Sequence, residues 1–387
     1  MGLDGGTMTI GSAALAVEAA QPRRVALVHD FLVDVRGAER TFEVVCDIWP
    51  HADLFTAVYD AEGTEGRFAG RTVRASFLQR IRPTARNFRA LLPLYPLAME
   101  RLDLSGYDLV VSSSSAWAHG VVPDENAVHV CYCHNPFRYA WDEREATLRA
   151  RSPFTRPVLR EILDRWQIWD RRVSRRVDRY IANSDVTRAR LREHFGRDAA
   201  VIHPPVRVER FAPGPVGDHY VLVSELVAHK RIDVAIRAFN QLGWPLVIVG
   251  DGPEARRLQR LAGPSVRFTG RVSDARLSEL VRSSRAIVVT AIEEFGMAAV
   301  EGQAAGRPAI VPDAGGGRET VLEGETGAFY PAGDPASLAT AVGRFPTEDV
   351  DPRACVTNAS RFSAARFRHA LGDAVHQTFG ALSPTPG

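Results

Sequence analysis

Short β-branched and aliphatic runs recur along the chain, separated by stretches whose apolar residues fall at three- and four-residue spacing. RRVALVH (23–29), DLFTAVY (53–59), YDLVVSS (107–113), AVHVCYCH (127–134) and DRYIANS (178–184) read as strands. A second set begins near His219 with HYVLVSE, PLVIVGD (245–251), SVRFTGR (265–271), RAIVVTA (285–291) and RPAIVPD (307–313). ERTFEVVCDIW, IDVAIRAFNQL, EARRLQRLA, DARLSELVRSS and MAAVEGQAA carry the helical spacing between them. Such alternation predicts an α/β protein with parallel sheets flanked by helices. FAPGPVGDH (211–219) has no apolar periodicity and reads as a linker between two such units. The expected domains are 23–210 and 219–345. A final helical stretch, ASRFSAARFRHALGDAVHQTF, is expected to return over 360–380 to the first domain. Two units of this kind imply a cleft where strand carboxyl ends meet a ligand.

Composition narrows the class. A chain of 387 residues exceeds one ordinary core, and its 45% hydrophobic and 24% charged content is that of a soluble globular protein. A formal charge of +2 weighs against nucleic acid as the partner. Cys46, Cys131, Cys133 and Cys355 form no CxxC pair and read as buried thiols of a reducing cytosol. No apolar run reaches the ~18 residues of a membrane span. Residues 1–22 lack the positive start of a signal peptide and read as a disordered tail. Arginines crowd 77–102 and 149–179. They are either solvated helix faces or a basic, aromatic-dotted surface for anionic lipid headgroups or a phosphate-bearing acceptor.

Against that arginine-rich background the chain has one lysine, Lys230, just after the apolar run Tyr220–Val223. Chance in a biased composition is one account; a task for a compact ammonium on a flexible stem is the other. The densest chemistry lies in AIEEFGMAAVEGQAAGRPAIVPDAGGGRETV (291–321). A strand there runs into Glu293-Glu294-Phe295-Gly296, and a helix starts near Met297. The unpaired N–H groups of a helix start attract anions, and Gly296 lets a ligand approach the backbone. Glu293 and Glu301 beside an anion site suit a ligand that also bears hydroxyls; alone, they read as a helix-start charge and a surface glutamate. Gly315-Gly316-Gly317 looks like a second glycine-rich helix entry and adds to the phosphate reading. A dinucleotide-binding dehydrogenase is disfavoured, because neither the turn after VLVS nor Gly250-Asp251-Gly252-Pro253 completes GxGxxG. Asp349-Val350-Asp351 falls in a loop, so this DxD reads as incidental rather than as a metal site.

Glu293 and Glu301 fit the E-x7-E pattern of the retaining glycosyltransferases of family 4, and the sequence resembles that family. EEFGMAAVEGQAAGRP, VGDGPE, VRFTGRVSD and GGGRETV follow in the family's order. HDFLVDVRGAER, SSSSAWAHGV, CYCHNPFRYAWD and IANSDVTRARL resemble a mannosyltransferase-like branch of bacterial surface-polysaccharide assembly. The resemblance implies the GT-B fold, two Rossmann-like domains facing each other across a cleft. It also implies a nucleotide-sugar donor, GDP-mannose ahead of UDP-sugars, without cofactor or metal. Glu293 would bind the donor hexose, with backbone contacts from Phe295, Gly296 and Met297. Glu301 would bind the ribose, and Lys230, with Arg231 beside it, the diphosphate. Gly37 and Ala38 would line the opposite loop, His134 would stand beside the reacting sugar, and His119 and Arg138 would lie on the acceptor side. Read alone, His134 is a strand-end histidine bonded to backbone.

The implied acceptor is a saccharide or lipid-linked saccharide at the cytoplasmic face of the membrane, with a small-molecule acceptor as the alternative. One position departs from the family. An arginine commonly stands five residues before the lysine as a second clamp on the diphosphate, and here Glu225 stands there. Its charge would repel phosphate. Glu225 could turn away, pair with a cation such as Arg231, or leave the clamp to Arg318. Its presence also keeps open a sugar-nucleotide-binding protein with little turnover.

Overall fold

The computed structural model describes residues 22–383. Apart from Pro22, the tail expected over 1–22 lies outside the described residues. The first sheet holds β1 (Val25–His29), β2 (Asp53–Thr56), β3 (Val73–Ala75), β4 (Leu109–Ser114), β5 (Val128–Cys133), β6 (Arg179–Ala182) and β7 (Ala199–Val201). The second holds β8 (Tyr220–Val223), β9 (Leu246–Val249), β10 (Val266–Gly270), β11 (Ile287–Val288), β12 (Ala309–Pro312) and β13 (Gly327–Tyr330). Strand order is β3-β2-β1-β4-β5-β6-β7 in one and β10-β9-β8-β11-β12-β13 in the other, and every pairing is parallel. Both orders reverse direction beside the first strand of their sheet. The two reversals place loops at the strand carboxyl ends on either side of one cleft.

Each sheet is covered on both faces. Along β1, Ala26 and Val28 enter one apolar cluster while Leu27 enters the other, as period-two side chains must. Several strands are shorter than the apolar runs suggest. β11 keeps only Ile287 and Val288, because the chain then leaves the sheet and Thr290 bonds the carbonyl of Lys230 at 2.7 Å. β3 and β7 have three residues each, too few for a period to register in sequence. The arginine-rich stretch 77–102 is mostly 3-10 turns, Phe77–Ile81 and Phe88–Leu94, with a short helix Tyr95–Glu100. Pro83, Pro93 and Pro96 prevent a continuous α-helix there.

The last helix, Ala364–Leu382, packs on the first sheet. Phe367, Leu371, Val375 and Phe379 recur every four residues and are buried with Leu27, Val130 and Tyr132. At about 1.5–3 kcal/mol for each large apolar side chain buried, this stripe outweighs the cost of crossing back. The crossing is bonded to the chain just before the linker, where Val206 N–H donates to the Phe362 carbonyl at 2.8 Å.

One buried carboxylate organises the loop after β4. Asp30 is fully buried just beyond β1. It accepts hydrogen bonds from the backbone N–H groups of Ser115 (2.6 Å), Ala116 (3.1 Å), Trp117 (2.6 Å) and Ala118 (2.6 Å), and from the Ser115 hydroxyl (2.9 Å). The donors satisfy the charge, and the charge gives the loop one conformation. Asp30→Ala leaves several buried N–H groups unpaired and should cost about 3 kcal/mol of stability. Urea unfolding measures this; a change below about 0.5 kcal/mol would contradict the role.

Candidate active site

The loop leaving β11 carries Glu293 and Glu294, and Gly296 ends it at φ 94°, a left-handed conformation suited to glycine. The helix Met297–Ala304 starts there. After the neighbouring strand β8, the turn Ala228–Lys230 presents Lys230. Its Nζ lies 2.8 Å from Glu293 Oε1, both side chains being about one-quarter exposed (26% and 23%). Lys230, Glu293, Ser224 and Ala298 line one concavity, and Glu293, Gly296 and Gly317 line its neighbour. Glu301 lies one turn inside the helix. Burial raises its carboxyl pKa, and Arg40 and Arg210 oppose that rise.

The first domain meets this wall with its own helix start. Gly37 opens the helix Gly37–Ile48, and a Cβ placed on it would stand 3.3 Å from Met297 Sδ. Gly37 and Ala38 therefore face the start of the 297–304 helix across the cleft. His134 stands at the end of β5 with Nε2 2.9 Å from Ser113 Oγ. Burial and the neighbouring His29 push its pKa down to about 3, so the ring is neutral.

The Glu225 question has an answer that sequence reasoning missed. Glu225 Oε2 lies 3.4 Å from Arg36 Nη1, a residue of the opposite domain directly before Gly37. Arg231 is not its partner: it pairs with Asp233 at 3.5 Å, and its guanidinium lies beside Gly333. Arg318 pairs with Asp313 and is 60% exposed. Arg36 lies 189 residues upstream of Glu225, and no local spacing signals the pairing.

The other expected residues differ in their surroundings. Gly315 and Gly316 pack against the Glu293–Phe295 loop, while Gly317 lines the concavity with Glu293. A Cβ on Gly315 would stand 2.5 Å from the Glu293 carbonyl, and one on Gly316 2.3 Å from Phe295 Cα. Gly316 N–H in turn holds the Glu293 carbonyl at 2.8 Å. His119 is 1% exposed, stacked on Trp169 and 3.3 Å from Asp170, so it is a core histidine that no acceptor reaches. Arg138, expected on the acceptor side, is engaged by Glu294. Phe295 is buried against His203 and Phe362, which leaves only its backbone for a ligand. Asp351 of the DxD caps a helix, accepting from Arg353 N–H at 2.9 Å.

Glu294 forms the joint between domains. Its Oε1 accepts from Arg138 at 3.2 Å and from Arg190 at 2.9 Å, both on the first domain. Arg190 also donates to Asn135 Oδ1 at 2.7 Å and lies 3.2 Å from Asp142. The two guanidiniums hold the Glu294 carboxyl below its ordinary pKa, although burial alone would raise it. Glu319 makes a second joint, accepting from Asp185 N–H at 3.0 Å and from His203 at 2.9 Å.

Comparison with known proteins decides the family. The profile for Glycosyltransferase Family 4 matches residues 35–210, and that for Glycosyl transferases group 1 matches 215–362. The chain belongs to glycosyltransferase family 4. It is 32% identical over 206 residues to the GDP-mannose-dependent alpha-(1-6)-phosphatidylinositol monomannoside mannosyltransferase of Mycolicibacterium smegmatis, covering 45% of this chain and 54% of that one. It is 31% identical over 179 residues to the phosphatidyl-myo-inositol mannosyltransferase of Mycobacterium leprae, covering 42% and 48%. The chain thus spans about half the length of the curated relatives it matches. Among solved structures, sucrose-phosphate synthase from Thermosynechococcus elongatus superposes with TM-score 0.70 at 20% identity, over 93% of this chain and all (100%) of that one. Anabaena HepE in complex with UDP gives 0.66 at 17%, over 92% and 100%. These likenesses show the GT-B fold of the family.

Breaking a partly buried charge cluster leaves its remaining members unpaired. Glu294→Gln should therefore weaken the joint by about 3 kcal/mol and enlarge the radius of gyration at neutral pH. In the wild type, a lowered carboxyl pKa stabilises the joint above the unfolded value of about 4.3 and stops doing so as pH falls through the folded value. Small-angle scattering should then show the wild type opening only under acid, while the variant is already open at pH 7. Identical scattering from both proteins would refute the joint.

Proposed function

We propose that the protein is a retaining, metal-independent glycosyltransferase. In this reading it moves a mannosyl group from GDP-mannose to a hydroxyl of a saccharide or lipid-linked saccharide. The observation that carries the reading is the Lys230–Glu293 pair at the start of the 297–304 helix, facing Gly37 across the cleft. An ammonium and a helix start offer positive charge to a diphosphate, while a carboxylate beside them offers acceptors to sugar hydroxyls. When donor binds, phosphate replaces Glu293 as the partner of Lys230, and Glu293 turns to the hexose. The bond from the anomeric carbon to the diphosphate oxygen then breaks. The acceptor oxygen bonds that carbon on the same face, and its proton passes to the leaving phosphate. Lys230 and the N–H groups at 296–298 meet the charge that develops. Glu293 binds sugar and forms no covalent intermediate, unlike the nucleophile of a retaining glycosidase.

GDP-mannose is favoured because the Mycolicibacterium smegmatis relative is named for it. Membrane contact is supported by one face of the first domain. Phe77, Ile81, Leu94 and Leu97 are exposed there, among Arg80, Arg82, Arg86 and Arg89, and no carboxylate occurs from 77 to 99. Among the described residues no helix is long and apolar enough to cross a bilayer. Docking at the cytoplasmic face of an anionic membrane fits both facts. Glu225 favours a second reading, a sugar-nucleotide binder with little turnover.

In a thermal-shift comparison, GDP-mannose should raise the melting temperature more than UDP-glucose does. Lys230→Ala should lower transfer by about a hundred-fold or more with the fold intact. Donor binding without transfer to any acceptor would support the second reading, and wild-type rates in Lys230→Ala would end the first. Vesicles containing phosphatidylglycerol should retain the protein at low salt and release it as salt rises, whereas neutral vesicles should not bind it.

A further inference from the structure

Behind His134 runs a chain of buried polar groups to which the reaction above gives no task. β1, β4 and β5 end side by side, with His29 and Ser113 as register partners and His134 following β5. His29 Nδ1 lies 3.1 Å from Ser113 Oγ, and Ser113 Oγ lies 2.9 Å from His134 Nε2. At the far end, His29 Nε2 faces Glu39 Oε1 at 3.6 Å. His29, Ser113 and Glu39 are 1%, 0% and 4% exposed, so water does not interrupt the chain. His29 also stacks on Phe42 with centroids 4.7 Å apart, which fixes its ring plane.

The direction of the hydrogen bonds follows from counting protons. The serine hydroxyl has one proton, and each neutral imidazole has one. At 3.6 Å the Glu39 contact is longer than a hydrogen bond, so the carboxylate acts through its charge. A lone pair on His29 Nε2 facing that charge would be repelled, so the His29 proton resides on Nε2. In a neutral His29, Nδ1 then accepts from Ser113, and Ser113 Oγ accepts from His134. His134 therefore carries its proton on Nε2. Among the described residues its Nδ1 has no protein partner, and it is not among the buried unpaired atoms.

We propose that Glu39, His29 and Ser113 are positioning residues that hold His134 in the Nε2-protonated tautomer, leaving Nδ1 open to the cleft as an acceptor for a substrate hydroxyl. The hydroxyl part of this inference rests on the transferase reading; the chain itself does not. A carboxylate at one end thus fixes the hydrogen-bonding polarity of a ring three groups away.

The test combines 15N spectra of the histidine rings, assigned with His134→Gln, and transfer kinetics. The wild-type spectrum, recorded without substrate, should show His134 protonated at Nε2. Ser113→Ala should give a mixture of tautomers and lower kcat by about ten- to a hundred-fold while leaving GDP affinity unchanged. Ser113→Thr should restore both. Glu39→Gln still accepts from Arg36 N–H and removes the charge, so it should shift the same signals even if Ser113→Ala fails to fold. His134 protonated at Nδ1 in the wild type, which a doubly protonated His29 would produce, overturns the proposal. So does a Ser113→Ala protein with unchanged tautomer and kcat. A wild-type protein that binds no nucleotide sugar would overturn the transferase reading, and the spectrum would still decide the chain.

Discussion

A carboxylate held between two guanidiniums of the opposite domain sets the geometry of the whole cleft. Glu294 is adjacent in the chain to Glu293, and Arg190 holds Asn135, the neighbour of His134. One ion cluster therefore spans the gap between the two groups that would flank a transferred sugar. Charges removed from water are costly unless each has a partner, and Glu294 finds both of its partners in the other domain. The domains are locked in register by the requirement that none of these charges be left alone.

The cleft wall is built on the same economy of partners. Lys230 and Glu293 satisfy each other, and Arg36, which also bonds Asp34 at 3.1 Å, reaches Glu225 across the gap. Each pair joins a cation suited to phosphate with a carboxylate. An ammonium on a flexible stem can leave its carboxylate and follow a phosphate, whereas the guanidinium forks at Glu294 grip in a fixed plane. In the proposed reaction the lysine stands where the partner changes and the arginines where it stays.

Much of this architecture was legible in the sequence. Alternating apolar runs and helical spacing gave the parallel sheets, and the ordered motifs gave the family. The stretch 291–301 carried the candidate site because a glycine, three carboxylates and a helix start fall within eleven residues. What escaped was long-range pairing. Arg36 with Glu225, Arg138 with Glu294 and Ser113 between two histidines arise from side chains that only folding brings together. Gly315 and Gly316 show why such glycines are ambiguous: close approach to a ligand and close approach to another loop select the same residue. His119 misled because a short 3-10 turn hides beneath a helix as readily as it lines a surface.

The chain crosses between the domains twice, and the crossings are bonded to each other where Val206 meets Phe362 and Ser363. Two tethers fastened side by side behave like the knuckles of a door hinge. Swinging about the line through them strains little, while sliding or twisting shears the bond that joins them. Phe295 packs on Phe362, so the Glu293–Gly296 loop is anchored near that line, where any swing moves atoms least. The Glu293–Gly296 loop is thus anchored where the two crossings meet.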